Sequence, residues 1–285
     1  MEDLIIGPMW PARNWSSDAG AGSIHDDSTA ANLGFRGGTV AGSIHMNQFP
    51  PVLMRVFGFR WFEQGNLSLN FKNATVDEEE VQVFAEPLAD GENQVKVWME
   101  RNDGLLVAIG TAAMGDHSQS ELQTIDQRAC DPSELRILRD VHPGQSLGVY
   151  EEHLTAERQF DQFDRHLISD PLDFYRTGSH WGDVVACPST LVHFLWGLPM
   201  AGLRPSIGSA VGLFGAIEVG HVNGPLVLNR DYRIESRVVS VGQSPKTEYL
   251  WFDSWADDEE GKRVVNFRMQ LRFMKASSPL YQDEA

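Results

Sequence analysis

The sequence predicts an α+β fold made twice over from one unit, a long helix followed by antiparallel strands. Three observations carry this. The 285 residues suffice for two medium domains. Each half runs from an apolar helical segment into segments that alternate apolar and polar. Asp-Gly pairs sit between alternating runs in the first half, where tight hairpins need them.

In the first half, Ser43 to Val56 reads as a helix with Ile44, Met46, Phe49, Leu53 and Val56 on its apolar positions. Pro50-Pro51 must kink it or end its first segment, because proline lacks the amide proton and clashes with the preceding turn. Strands are expected over Asn66–Phe71, Val81–Phe84, Val95–Trp98 and Leu105–Met114, with Asp90-Gly91 and Asp103-Gly104 as the turns. In the second half, Val185–Val192 opens another apolar helix with Pro188 near its first turn. Leu226–Tyr232, Arg237–Val241, Glu248–Trp255 and Val264–Met274 follow as strands, and Asp257–Gly261 reads as an acidic hairpin tip. The polar stretch from Asp116 to Asp140 reads as a linker with a surface helix around Pro132–Arg139, and Gln282–Ala285 as a frayed tail. The expected division is 1–116, a linker at 117–140, and 141–285.

Charge narrows the function. Lys and Arg number 23 against 40 Asp and Glu, a net charge of −17, which repels nucleic-acid phosphate and anionic lipid. No nucleic-acid or membrane partner is expected. An anionic ligand needs local basic residues set against that field, and Arg36, Arg55, Arg60 and Lys72 are available. Two cysteines, Cys130 and Cys187, are too few for a disulfide scaffold. With no basic, apolar leader at Met1–Pro8 and no run of roughly 18 apolar residues, a cytoplasmic protein is expected. No GxSxG, CxxC, HExxH or Walker-type loop occurs, so no metal and no cofactor is expected. The glycine-rich stretch Gly202–Gly220 has GxxG spacings but no GxGxxG after a clear strand.

The stretch from Ser23 to Gly42 places a histidine, aspartates, a Gly-Phe pair and a helix-entry glycine at fixed offsets. It resembles the signature of the MaoC-like, or (R)-specific, enoyl-CoA hydratases, a pattern close to DxNPxHxD, then Ala, then Gly-Phe, then a small residue and Gly opening a helix. His25, Asp26, Ala30 or Ala31, Gly34-Phe35 and Ala41-Gly42 take those places, while the family's catalytic aspartate position, five before the histidine, is Gly20. The resemblance implies the hotdog fold, an antiparallel sheet wrapped around a central helix. Applied to both halves, it implies a double hotdog whose sheets pair edge to edge into one, which buries edges otherwise open to aggregation. The second half lacks the motif, and is expected to shape the acyl pocket.

The same resemblance implies a hydro-lyase acting on a 2-enoyl or 3-hydroxyacyl thioester, a small molecule carried on coenzyme A or a protein-bound pantetheine. His25 is the acid/base, since imidazole titrates near neutrality. Gly42 supplies a helix N-terminal amide for the thioester carbonyl. The partner of His25 is Asp18, returned to the missing position by a bulge in Ala19–Gly22, or His45 one turn into the helix. Asp26, Phe35, Arg36 and Arg60 are expected against the substrate. His180, Asp183, Thr190 and His193 flank the equivalent helix start of the second half. The same scaffold also hosts acyl-CoA thioesterases, and a diverged lyase, isomerase or non-catalytic binding subunit for a non-thioester ligand is a further alternative. A tandem chain carries its own dimer, and a homodimer or larger homo-oligomer of it is left open.

Overall fold

The computed structural model describes residues 3–16, 19–168 and 172–284. Its first half begins with two short strands, β1 (Ile5–Ile6) and β2 (Trp10–Pro11), and helix α1 (Asp27–Asn32). Then come α2 (Gly42–Met46), α3 (Phe49–Phe57) and α4 (Trp61–Gln64), followed by β3 (Gly65–Phe71), β4 (Glu80–Ala85), β5 (Gln94–Arg101) and β6 (Leu106–Met114). After α5 (Glu121–Thr124), the second half runs β7 (Ser146–Leu154), α6 (Glu157–Asp164), α7 (Pro188–Leu203), β8 (Gly212–His221), β9 (Arg230–Gln243), β10 (Thr247–Asp257) and β11 (Arg263–Met274).

The eleven strands form one sheet in the order β1-β4-β5-β6-β3-β8-β11-β10-β9-β7, with β2 on β4. All its pairings are antiparallel. Each half repeats one scheme: a strand before the helix goes to the outer edge, the strand after it goes to the centre, and a three-stranded meander fills the gap. This is the double hotdog, with β3 and β8 paired at the middle through Asn66↔Gly220 to Asn70↔Ala216.

Side chains alternate across the sheet, so its two faces do different work. Leu250, Phe252, Ile217 and Leu69 face the helices in one continuous core, each 2 % exposed or less. Burying such a side chain stabilises by about 1.5–3 kcal/mol. Tyr249, Trp251 and Ala216 face the other way and are covered by Leu122 of α5. The linker is therefore a cover on the back of the sheet. The expected helix around Pro132–Arg139 reduces to one 3-10 turn, Pro132–Glu134. Beyond it, the amides of Ile137 and Leu138 donate to the buried carboxylate of Glu248 at 2.9–3.1 Å, which a continuing helix would forbid. Tyr281 also donates to Glu248, at 2.5 Å, and this holds the C-terminal stretch expected to fray in a 3-10 helix, Pro279–Glu284.

The single helix expected at 43–56 is two. The chain breaks at Asn47-Gln48, which puts both prolines in the first turn of α3, where a missing amide proton costs nothing. That break frees Asn47 to bridge the halves. Its amide donates to the Ser189 hydroxyl, and its carbonyl accepts from the Ser189 amide, both at 2.9 Å. Four strands escaped the sequence reading, the two-residue β1 and β2 and the longer β7 and β8, and the segments Leu226–Tyr232 and Arg237–Val241 resolve into one long β9 that starts at Arg230.

Asn47 is fully buried. Asn47→Leu strands two polar groups of Ser189 and should cost about 1–3 kcal/mol in urea unfolding; an unmoved midpoint would show that the bridge contributes nothing.

Candidate functional site

Helix α1 is set by its cap. Asp26 accepts hydrogen bonds from the Thr29 amide at 2.9 Å and from the Ser28 and Thr29 hydroxyls at 2.8 Å, which holds its carboxyl below the usual range. After α1, Gly34 takes φ +84°, a left-handed value that a side chain would strain, and the amides of Gly34 and Phe35 close the helix end onto Ala31 and Ala30. The chain then doubles back. A Cβ on Gly38 would lie 2.2 Å from the carbonyl oxygen of His25, so only glycine fits there. The Gly38 amide donates to Asp27 at 2.7 Å and the Thr39 amide to the Ile24 carbonyl at 3.0 Å.

This return places the Thr39 carbonyl 2.6 Å from Nδ1 of His25. A carbonyl only accepts, so Nδ1 carries the proton and Nε2 is the basic nitrogen. Burial lowers the His25 pKa, partly offset by that hydrogen bond, so the ring is neutral at pH 7.

His25 lines a cavity of about 780 Å³ that both halves enclose. The first half gives Phe35, Gly42, His45, Phe71 and Lys72, and the second gives Arg158, His193, Trp196, Arg204 and Phe214. Gly42 opens α2, whose internal bonding starts with the Ile44 amide on the Ala41 carbonyl, leaving the earlier amides without helical acceptors. A Cβ on Gly42 would come within 2.6 Å of the Phe71 ring. His45 is buried, with Nε2 2.7 Å from the Thr75 hydroxyl, and burial pushes its pKa down to about 4.

Three expectations are corrected here. Asp26 is a half-buried helix cap off the cavity wall. Arg36 also stays off it, paired with Glu79 across the outer surface because that carboxylate meets its guanidinium at 2.5 and 2.9 Å. Arg60 sits beyond the C-terminal end of α3, exposed, whereas the cavity lies at the start of α2. Asp18 lies outside the described residues. In the second half, His193 reaches the cavity, while Thr190 is buried, Asp183 caps the Val184 amide, and His180 stacks on Trp181.

Arg158 was not found from sequence. Its guanidinium lies 3.9 Å over the Trp15 ring, and burial pulls its pKa down to about 10. Among the described lining residues there is no Asp or Glu, against Lys72, Arg158 and Arg204. In a chain of net charge −17 this wall is locally cationic. No group of three metal-ligating side chains occurs among the described residues.

The counterpart of this cavity, formed by the loop before α7 and the end of the first-half helices, is closed. Phe62 meets Phe174 at 4.9 Å and Trp181 at 5.9 Å between ring centres, and Trp61 meets His221 at 5.3 Å. About 10 Å³ remains there.

No protein-family model and no curated protein matches the sequence. Solved structures match its fold. A MaoC-domain dehydratase from Chloroflexus aurantiacus aligns over 96 % of this chain and 95 % of its own, at TM-score 0.59 and 9 % identity. A double-hotdog protein of Mycobacterium tuberculosis aligns over 96 % and 97 %, at TM-score 0.62 and 11 % identity. A MaoC-like dehydratase aligns over 94 % and 98 %, at TM-score 0.51 and 14 % identity. The likeness is one of fold, to MaoC-like dehydratases and double-hotdog proteins. Among the described residues no helix is long and apolar enough to cross a membrane.

Two outcomes follow. His45, His193 and His221 each titrate at about 4 when folded, chiefly through burial, against 6.5 when exposed. Between those values the unfolded chain binds the extra protons, so stability is full above pH 6.5 and falls as pH drops toward 4, by on the order of 3 kcal/mol per ring. Urea midpoints at pH 7.5, 6 and 5 should decline, with His221→Phe flattening the slope; a level series would contradict the buried, neutral rings. Gly42→Ala must displace the Phe71 ring, and should raise the apparent ligand dissociation constant about tenfold while the protein stays folded. Unaltered binding would place the ligand away from the start of α2.

Proposed function

We propose that the chain is a hydro-lyase of the MaoC-like type, adding water to a 2-enoyl thioester or removing it from the 3-hydroxyacyl product. One observation carries the reading: an imidazole with a fixed tautomer, neutral at pH 7, on the wall of a cavity that holds no described carboxylate and three cationic side chains. Such an interior suits an anionic carrier such as coenzyme A. Its aromatic and aliphatic walls, among them Phe35, Phe71, Trp196 and Phe214, suit an acyl group.

In the proposed reaction, the thioester carbonyl accepts from the Gly42 amide at the start of α2. That donor strengthens as negative charge develops on the oxygen. Nε2 of His25 takes a proton from water as the oxygen attacks the β-carbon, and the resulting imidazolium gives its proton to the α-carbon. One histidine thus serves both steps. The Thr39 carbonyl favours the imidazolium that forms in between, because it already holds Nδ1–H. His45 keeps its Nε2 on Thr75 and contributes a neutral wall beside the same helix start. A role for Asp18 as a second acid is tested by the same assay on Asp18→Asn.

Loss of the enoyl-thioester absorbance measures the reaction. His25→Gln should lower kcat/KM by about 10²–10⁴-fold. The wild-type acid limb should lie below pH 6.5, since the His25 pKa is lowered. Loss of that absorbance with stoichiometric release of free thiol would assign thioester hydrolysis instead, and a fully active His25→Gln protein would remove the imidazole from the chemistry.

A further inference from the structure

Arg158 has an environment that neither folding nor hydration explains. It is the second residue of α6, where a cation opposes the helix dipole. The carboxylate of its own helix that attracts it, Asp161, is already engaged: the Trp15 indole donates to it at 3.2 Å, and Arg165 stands 3.7 Å away. Trp15 stacks on the guanidinium, and its carbonyl accepts from Arg165 at 3.0 Å, so the platform is fixed from two sides. Nε of Arg158 is buried without a hydrogen-bond partner, and the guanidinium makes no ion pair with a described residue. The side chain lines the cavity beside His193, whose own pKa it helps to depress.

A half-buried guanidinium that makes no ion pair, and whose one attractive carboxylate, Asp161, is shared with Trp15 and Arg165, is costly unless a ligand supplies a further counter-charge. We propose that Arg158 forms an anion subsite inside the cavity and receives a carboxylate carried by the acyl group, so that the substrate is the thioester of a dicarboxylic acid. This rests on the thioester reading above. The shared chemistry is an oxyanion, and the carrier's phosphates are its other source. Burial separates the two. Lys72 and Arg204 line the cavity as exposed residues, where hydrated phosphates are held at least cost, while Arg158 is half-buried on an aromatic plate with its Nε out of solvent. A planar carboxylate matches the guanidinium fork.

The test is equilibrium binding of saturated analogues, which need no turnover. Butanoyl-CoA and 4-carboxybutanoyl-CoA are titrated into the wild-type chain, Arg158→Gln and Arg158→Lys, and the same pair is titrated as phosphate-free pantetheine thioesters. The carboxylated ligand should bind the wild-type chain about 10- to 100-fold more tightly on either carrier. Arg158→Gln should bring that ratio to near one, and Arg158→Lys, whose thermal unfolding checks that the position tolerates change, should keep part of it. Equal wild-type binding of both CoA thioesters would overturn the subsite and leave the thioester reading standing. Binding of neither would overturn both. If Arg158→Gln weakens both CoA ligands alike and spares both pantetheine ligands, Arg158 holds a carrier phosphate and the carboxylate assignment fails.

Discussion

The backbone pairs between Asn66–Asn70 of β3 and Ala216–Gly220 of β8 set everything else in place. Each of these strands follows its half's helical segment, so pairing them brings those segments side by side. The end of α2 and the start of α7 then meet at the Asn47–Ser189 bridge. Had the two halves paired through their outer strands, β1 and β7, the loop that carries His25 would face solvent, without Trp196 or Phe214 opposite it. The cavity is a product of that one register. A slip by a single residue would turn Leu67 and Leu69 to the back of the sheet and Ser68 into the core.

The legible parts of the fold were those whose residues see two different surroundings. Val81, Val83 and Ala85 are buried while their neighbours in β4 are less so, and the alternation shows it. β8 escaped because it lies at the centre of the sheet and is buried on both faces from Gly215 onward. A strand covered on both sides loses its period, and its three glycines read as a loop. β7 escaped for the opposite reason: it is an edge, bent at Gly148 with φ +113° and carrying paired glutamates, and much of it faces water. The break at Asn47-Gln48 was signalled by Pro50-Pro51 but misplaced by one turn.

The site divides along the same line. What surrounds His25 is local: Gly38 and Thr39 act on it from the same loop, which the Asp26 cap and the Gly34 turn shape, at spacings the sequence shows. The motif was readable for that reason. Arg158 and Trp15 come from opposite halves of the chain, and nothing in either neighbourhood marks them as partners. Arg36 and Arg60 looked suitable by nearness in sequence, yet one was claimed by Glu79 and the other carried away by the length of α3. Proximity along the chain predicts the loop's own geometry well and the opposite wall poorly.

Tandem fusion also has a cost in symmetry that the aromatic cluster around Phe62, Phe174 and Trp181 makes visible. Two identical subunits would be bound to present twin openings, each constrained by the same sequence. Two repeats in one polypeptide carry no such obligation, and here the counterpart of the cavity is filled with aromatic packing. Among the described residues the two counterpart sites are therefore unequal, about 780 Å³ against about 10 Å³, and only the first has room for a guest molecule.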